Sequence, residues 1–224
     1  MPERSPTIRV YKFLSARNAL DDLKKHRIKI SKIDELNDPF DLTAVDTTHS
    51  SIKNALEKFI QWFRGTKGIL CFSQNWDNIL QWSHYGCSHS GICLGFDIPD
   101  TQHDGGYNLE VSYQPNVLTV QSATDVNLDF ANRLLRTKYE IWSYEQEIRV
   151  FVQINDPPDE NGMHWFPFGD DLSLKEVIVG AQCSPEDSKE VTRVRLLYPD
   201  TVEFCWAGLK QDAFGLLRIA FPPP

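Results

Sequence analysis

A chain of 224 residues with 41% apolar and 12% aromatic content is long enough to bury a substantial core, as one large domain or two small ones, and no apolar run approaches the roughly 18 residues of a membrane-spanning helix. Its formal net charge of −8 disfavours non-specific attraction to a phosphate backbone, which comes from clustered Lys and Arg. Five cysteines without CxxC spacing speak against a disulfide framework or a zinc cage, and MPERSPTIRV lacks the apolar stretch of a signal peptide, so a soluble protein of the reducing cytoplasm is expected.

In chain order, IRVYKFL (Ile8 to Leu14) alternates like a strand. SARNALDDLKKHR then reads as a helix capped by Ser15 or Asn18, and RIKIS as a short strand. Lys24, Lys25, His26, Arg27 and Lys29 form a local basic patch. It complements the dipole at that helix's C-terminus, with a nucleic-acid contact as the less favoured use. IDELNDPFD is a turn, because Pro39 and its Asn/Asp neighbours resist regular structure. Asn37 or Asp38 should cap it and Phe40 should enter the core, where Phe40→Ala would cost about 3–5 kcal/mol. Ile52, Leu56, Phe59, Ile60 and Phe63 recur at helical spacing, predicting a helix over 50–64 that ends at Gly65.

GILCFSQ predicts a strand, DNILQWSHYG a short helix and GICLGFDI another strand. Tyr107–Tyr113 and Asn116–Gln121 suggest a strand pair separated by Pro115, Asp125–Tyr139 a helix, and YEIWSYEQEIRVF a further strand. EVIVGAQ and TVEFCWA close the sheet. Between them SPEDSKEVTRVRLLY opens with Ser184 as N-cap, Pro185 at the first helical position and acids in the first turn. A regular βαβ repeat and a Gly-rich phosphate loop are both missing, which argues against a doubly wound nucleotide fold. The pattern fits an α+β single domain over 1–224, its sheet mixed and mostly antiparallel, in one variant split, and flanked by helices.

Strand geometry would turn Glu145, Glu147 and Arg149 to one face and Ile148, Val150, Val152 and Ile154 to the other. Such a face is either a solvated surface laced by a carboxylate–arginine pair or the floor of a site. Tyr11 and Lys12 on the first strand pose a similar choice. QWSHYGCSHSG gathers Trp82, Ser83, His84, Tyr85, Cys87 and His89 at a helix end. A Cys/His nucleophile, from Cys87 or Cys71 with His84 or His89, lacks an evident orienting group. A metal site is opposed by the i, i+5 histidine spacing, which does not share a helical face. A pocket for a flat polar ligand fits better, with Trp82 and Tyr85 offering ring faces and Ser83 and His84 hydrogen bonds.

Taken together, YKFL, LNDPFD, CFSQNWDNILQWSHYGCSHSGICLGFD and WSYEQEIRVF resemble the bacterial family called domain of unknown function 2971, from about Val10 to Phe151. That resemblance implies that the motifs belong together and names no reaction. The chain also resembles ADP-ribosyltransferases, which implies a small split-sheet α+β fold, a basic or histidine residue on the first strand, a Ser or Tyr motif in the middle and a catalytic Glu in a Q/E-x-E motif on a late strand. Lys12 would take the first position, where His or Arg is more usual. Ser73 or Tyr85 would take the second, without the usual Ser-Thr-Ser form, and Glu145-Gln146-Glu147 the third.

On that resemblance Glu147 is catalytic, hydrogen-bonding a ribose hydroxyl and stabilising the positive charge that develops as nicotinamide leaves NAD. Glu145 would orient an acceptor or share the charge. Arg149 would pair with either acid or face the pyrophosphate, and Tyr11, Lys12, Ser73, Trp82, Ser83, His84 and Tyr85 would complete the NAD site, with no metal expected. One rival is a non-catalytic nucleotide- or protein-binding module of a bacterial stress or phage-defence system. Another is a metal-dependent hydrolase or nuclease using Asp38, Asp41, Glu145 and Glu147. Under a shared-site reading, YKF, NDPFD, WSHYG and YEQEIR converge on one cleft.

Overall fold

The structure is a computed structural model that describes residues 6–100, 108–154 and 156–221. Strand β1 (Thr7–Leu14) leads into α1 (Ala16–Lys25), where the Ser15 side chain accepts from the Asn18 N–H and satisfies an orphan amide of the first turn. His26, in the left-handed conformation, ends α1, and β2 (Arg27–Ile30) follows. Helix α2 (Ser50–Thr66) buries Ile52, Leu56, Ile60 and Phe63. It runs past Gly65, which does not adopt the positive φ of a glycine stop. Strand β3 (Lys67–Ser73) precedes α3 (Ile79–His84), whose Asn78 cap accepts from the Leu80 and Gln81 amides.

Strands β4 (Ile92–Pro99), β5 (Asn108–Glu110) and β6 (Ser112–Gln114) come next. The expected helix over Asp125–Tyr139 divides into α4 (Leu128–Leu135), capped by Asn127, and β7 (Thr137–Tyr139). A 3₁₀ turn over Glu140–Glu145 and strand β8 (Glu147–Gln153) replace the single expected strand. The chain then forms β9 (His164–Pro167), β10 (Ser173–Val179), α5 (Pro185–Arg195), β11 (Glu203–Leu209) and β12 (Leu216–Ala220). Ser184 and Pro185 cap α5 as expected. The strand expected at Asn116–Gln121 reduces to a bridge from Leu118 to Val45, and Tyr107 lies outside the described residues. Among the described residues, no helix is long and apolar enough to cross a membrane.

The described chain packs as two compact units, residues 6–29, 72–100 and 165–221 in the first and 30–71, 108–154 and 156–164 in the second. In the first, β4 runs antiparallel to β1, from Thr7↔Pro99 to Leu14↔Ile92, and antiparallel to β10 on its other edge. Strands β10 and β11 are parallel, with α5 as the crossover such a pair requires, and β12 returns antiparallel to β11. Ser73 at the end of β3 stands opposite Tyr11. One sheet face buries Tyr11, Phe13, Cys93, Ile178, Cys205 and Ala207 against Trp82 of α3.

The second unit is built on the apolar stripe of α2. Ile52, Leu56, Ile60 and Phe63 pack with Ile69 of β3, Phe130 and Leu134 of α4 and Phe151 of β8. The Phe63 and Phe151 rings meet edge to face at 5.7 Å. Here β5 pairs antiparallel with β8, and β6 parallel with β7. The pairings of the two units are mostly antiparallel and the class is α+β, as the sequence implies.

Candidate functional site

Gln146 sits at φ 43° and ψ 55°, in the left-handed region, so β8 starts at Glu147 and Glu145 ends the preceding 3₁₀ turn. The expected three-residue alternation along one strand therefore does not form. Lys138 of β7 links the two acids instead, its Nζ 2.5 Å from Glu145 Oε2 and 3.1 Å from Glu147 Oε2. Arg149 grips Glu147 bidentately, Nε to Oε1 at 2.9 Å and Nη2 to Oε2 at 3.0 Å, and Nη1 donates to the Leu135 carbonyl. Its Nη2 also lies 2.7 Å from Asp41 Oδ1, close enough for charge pairing but not aligned as a hydrogen bond. The Tyr113 hydroxyl accepts the Glu147 N–H at 2.9 Å.

All five charged side chains are buried, Arg149 completely, and buried charges persist only when paired. Burial pushes the Glu147 carboxyl up, but Arg149 and Lys138 outweigh it and hold the group down at about 2. Burial would lower Lys138 and Arg149, yet the facing carboxylates hold both above their ordinary values. For Asp41 burial prevails over Arg149 and Lys138, and the carboxyl is raised. Glu147 is thus an ionised carboxylate whose oxygens are both engaged by cations. Among the described residues, no group of three or more His, Cys, Asp or Glu side chains is placed to hold a metal ion.

The NDPFD turn supplies the fifth charge. Asp38 Oδ1 accepts the Phe40 N–H at 2.9 Å, the expected cap. Phe40, however, is 57% exposed, while Asp38 and Asp41 are buried, which overturns its expected place in the core. A turn that put the ring inward would take Asp41 away from Arg149, and losing a partner from a buried pair costs about 3–5 kcal/mol, more than leaving one ring in water.

In the first unit, the face that carries Tyr11 also carries Arg9, Asp97, Gly95 and Glu176, as the registers Arg9↔Asp97, Tyr11↔Gly95 and Gly95↔Glu176 require. Arg218 joins them from β12. Glu176 is bridged by Arg9 on one side and by Arg218 Nη2, at 2.7 Å, on the other. Arg9 Nε reaches Asp97 at 2.6 Å, and Arg218 Nη2 donates to the Tyr11 hydroxyl at 3.2 Å. The Trp76 ring lies 4.5 Å from the Arg218 guanidinium carbon, a cation–π distance. A Cβ on Gly95 would stand 2.9 Å from the Glu176 Cβ and 3.1 Å from Tyr11 Cε1, so a glycine lets this cluster close. The side chains of Arg9 and Arg218 remain 34% and 35% exposed. Each guanidinium has five N–H donors, more than these contacts use. Such a donor set beside a ring can engage an anionic group.

The remaining expected residues fall as follows. Ser73 is buried and its Oγ accepts the Asn75 N–H. Lys12 is half-buried, 5.7 Å from the Phe72 ring centroid. Trp82 is a core residue with 0% exposure, edge-on to Phe13 at 5.1 Å, its indole N–H donating to the Trp76 carbonyl. Ser83 and His84 are exposed, and Tyr85 packs half-buried beside the Trp82 cluster. YKF and WSHYG thus meet within the first unit, and NDPFD and YEQEIR within the second. Sequence reasoning passed over Lys138 and Tyr113 in the second unit and Arg9, Trp76, Glu176 and Arg218 in the first. Tyr11 and Arg218 stand 207 positions apart, and no local pattern signals their contact.

Over residues 81–150 the chain matches the model of a family described as protein of unknown function (DUF2971). That span holds WSHYG, Lys138, Glu145, Glu147 and Arg149. Neither the curated proteins nor the solved structures gave a match.

Proposed function

We propose that the chain is a nucleotide-binding module whose ligand, NAD or a related nucleoside diphosphate, docks on the first unit at Arg9, Tyr11, Ser73, Trp76 and Arg218. One observation carries this reading: two guanidiniums are held on Glu176 beside the Tyr11 hydroxyl and the Trp76 ring, with about a third of each arginine side chain open to solvent. Binding ranks ahead of catalysis because Glu147 and Glu145 are already committed to Arg149 and Lys138.

Cleavage of the nicotinamide–ribose bond is the second reading. The register sets Tyr11 opposite Ser73, whereas Lys12, which the transferase resemblance puts at the first position, alternates to the other face beside Phe72.

Thermal unfolding in the presence of NAD, ADP-ribose, ADP or magnesium tests the assignment. A ligand at 100 times its Kd stabilises by about 2.7 kcal/mol, so each nucleotide should raise the melting temperature. A rise with magnesium alone would favour the metal-dependent hydrolase, and no rise with any nucleotide would overturn the proposal.

A further inference from the structure

The YGCSHSG segment holds three consecutive non-glycine residues in the left-handed region, Cys87, Ser88 and His89, at φ 48°, 53° and 67°. Such backbone costs about 1–3 kcal/mol per residue and persists only where its surroundings enforce it, most often at ligand sites. Here the enforcement is visible. The His89 N–H donates to the Trp82 carbonyl at 3.1 Å, the Ser88 N–H to the Ser83 carbonyl, and the His89 carbonyl accepts the Gln182 N–H at 2.9 Å. A Cβ on Gly180 would lie 2.2 Å from that same His89 oxygen, so only glycine lets the two loops meet. The His89 ring is stacked on Trp82 at 6.3 Å and 12°.

This locked loop borders a cavity of about 490 Å³ lined by Ile79, His89, Gln182, Trp206, Leu209 and Ile219 among others, a size within the range of small-molecule pockets. The cavity lies beyond the carboxyl end of β10, beside the parallel β10–α5–β11 unit. The last register between β10 and β11 is Val179↔Trp206, while β11 continues to Leu209. Past that point no register among the described residues pairs β11 with β10, and its last residues pair with β12 alone. Trp206 is braced by Phe221, parallel at 5.0 Å and 6°. No Asp, Glu, Lys or Arg is among the lining residues.

We infer that this cavity is a second binding site, for an uncharged planar heterocycle of nucleobase type. Its apolar walls and the Trp206 ring take the faces of the heterocycle, and His89 and Gln182 take its hydrogen-bonding rim. Burying a charged ligand there without a counter-charge would be costly. Its lining residues are distinct from those of the Arg9–Arg218 cluster, and the inference holds whether or not that cluster binds nucleotides.

The test is an amide and side-chain NMR titration of the full chain with adenine as probe and toluene as apolar control. Two variants accompany it: Ala181→Trp, an exposed loop substitution that fills the cavity, and Gln182→Leu, which removes a polar rim group. Adenine should shift the His89, Gln182 and Trp206 resonances. Ala181→Trp should abolish binding and Gln182→Leu should weaken it on the order of tenfold, both with unchanged melting temperature. Absence of adenine shifts, equal adenine affinity in the variants, or toluene binding as tightly as adenine would each overturn the inference.

Discussion

Lys138→Met removes the ammonium shared by Glu145 and Glu147, which also lies 5.1 Å from the Trp142 ring centroid, while keeping an unbranched apolar stem. The wild-type group lies 2.5 Å, 3.1 Å and 3.7 Å from Glu145, Glu147 and Asp41, and its side chain is 3% exposed. After substitution three buried carboxyls share only Arg149, so the cost should reach about 3–5 kcal/mol, as for other buried pairs deprived of one partner. Wild-type Glu147 supplies a check on scale. Its drop from 4.5 to about 2 corresponds to roughly 3 kcal/mol at ~1.36 kcal/mol per pKa unit. That stabilisation is present above the unfolded value of 4.5 and is lost as pH falls toward 2. In the variant the sign reverses for whichever carboxyl has lost its cation: it takes up a proton on folding, and the deficit shrinks as pH falls. Urea unfolding of both proteins at pH 7 and pH 5 should show a large deficit at pH 7 and a smaller one at pH 5. A deficit below about 1 kcal/mol at pH 7, or one indifferent to pH, would refute the network as a structural element.

Three further outcomes follow from individual side chains. Phe40→Ala should cost less than about 1 kcal/mol in urea unfolding, since the ring is already in water; a loss of 3 kcal/mol or more would restore a core role. Glu147→Gln should lower the melting temperature markedly, because a neutral amide leaves Arg149 and Lys138 short of one charge; an unchanged melting temperature with lost nicotinamide release from NAD would assign it to catalysis. Burial raises the Asp22 carboxyl from 3.8 to about 7 against the pull of Lys12. Folded Asp22 therefore holds its proton where unfolded Asp22 has lost it, and stability falls as pH rises from about 4 to 7, by at most ~1.4 kcal/mol per pH unit. Asp22→Asn should flatten that fall in urea unfolding from pH 4 to 8, and an unchanged slope would place its source elsewhere.

Elements whose signals are local were legible in the sequence. Ser15 and Ser184–Pro185 announce helix starts because caps act within three residues, and the stripe on α2 follows from 3.6-residue periodicity alone. The YEQEIR segment misled for a physical reason. Alternating charges match a strand face, but the left-handed Gln146 splits the segment, and the missing cation, Lys138, comes from β7. Phe40 misled because an aromatic residue in a polar turn reads as an anchor, whereas the energy of pairing Asp41 with Arg149 decides which side chain turns inward. Trp82 was legible as important, though its surroundings make it a core residue and leave Trp76 over Arg218. The Arg9–Glu176–Arg218 cluster was invisible, since strand register joins residues from the two ends of the chain.

Calorimetric titration of NAD into the wild-type protein and into Arg218→Gln tests the nucleotide assignment most directly. The Arg218 side chain is 35% exposed and the buried Glu176 keeps Arg9 as a partner, so the variant should still fold, which its melting temperature checks. The account predicts NAD binding to the wild type and affinity weakened at least about tenfold in the variant, the scale of one charge-assisted contact. Equal affinity in the two proteins would contradict it.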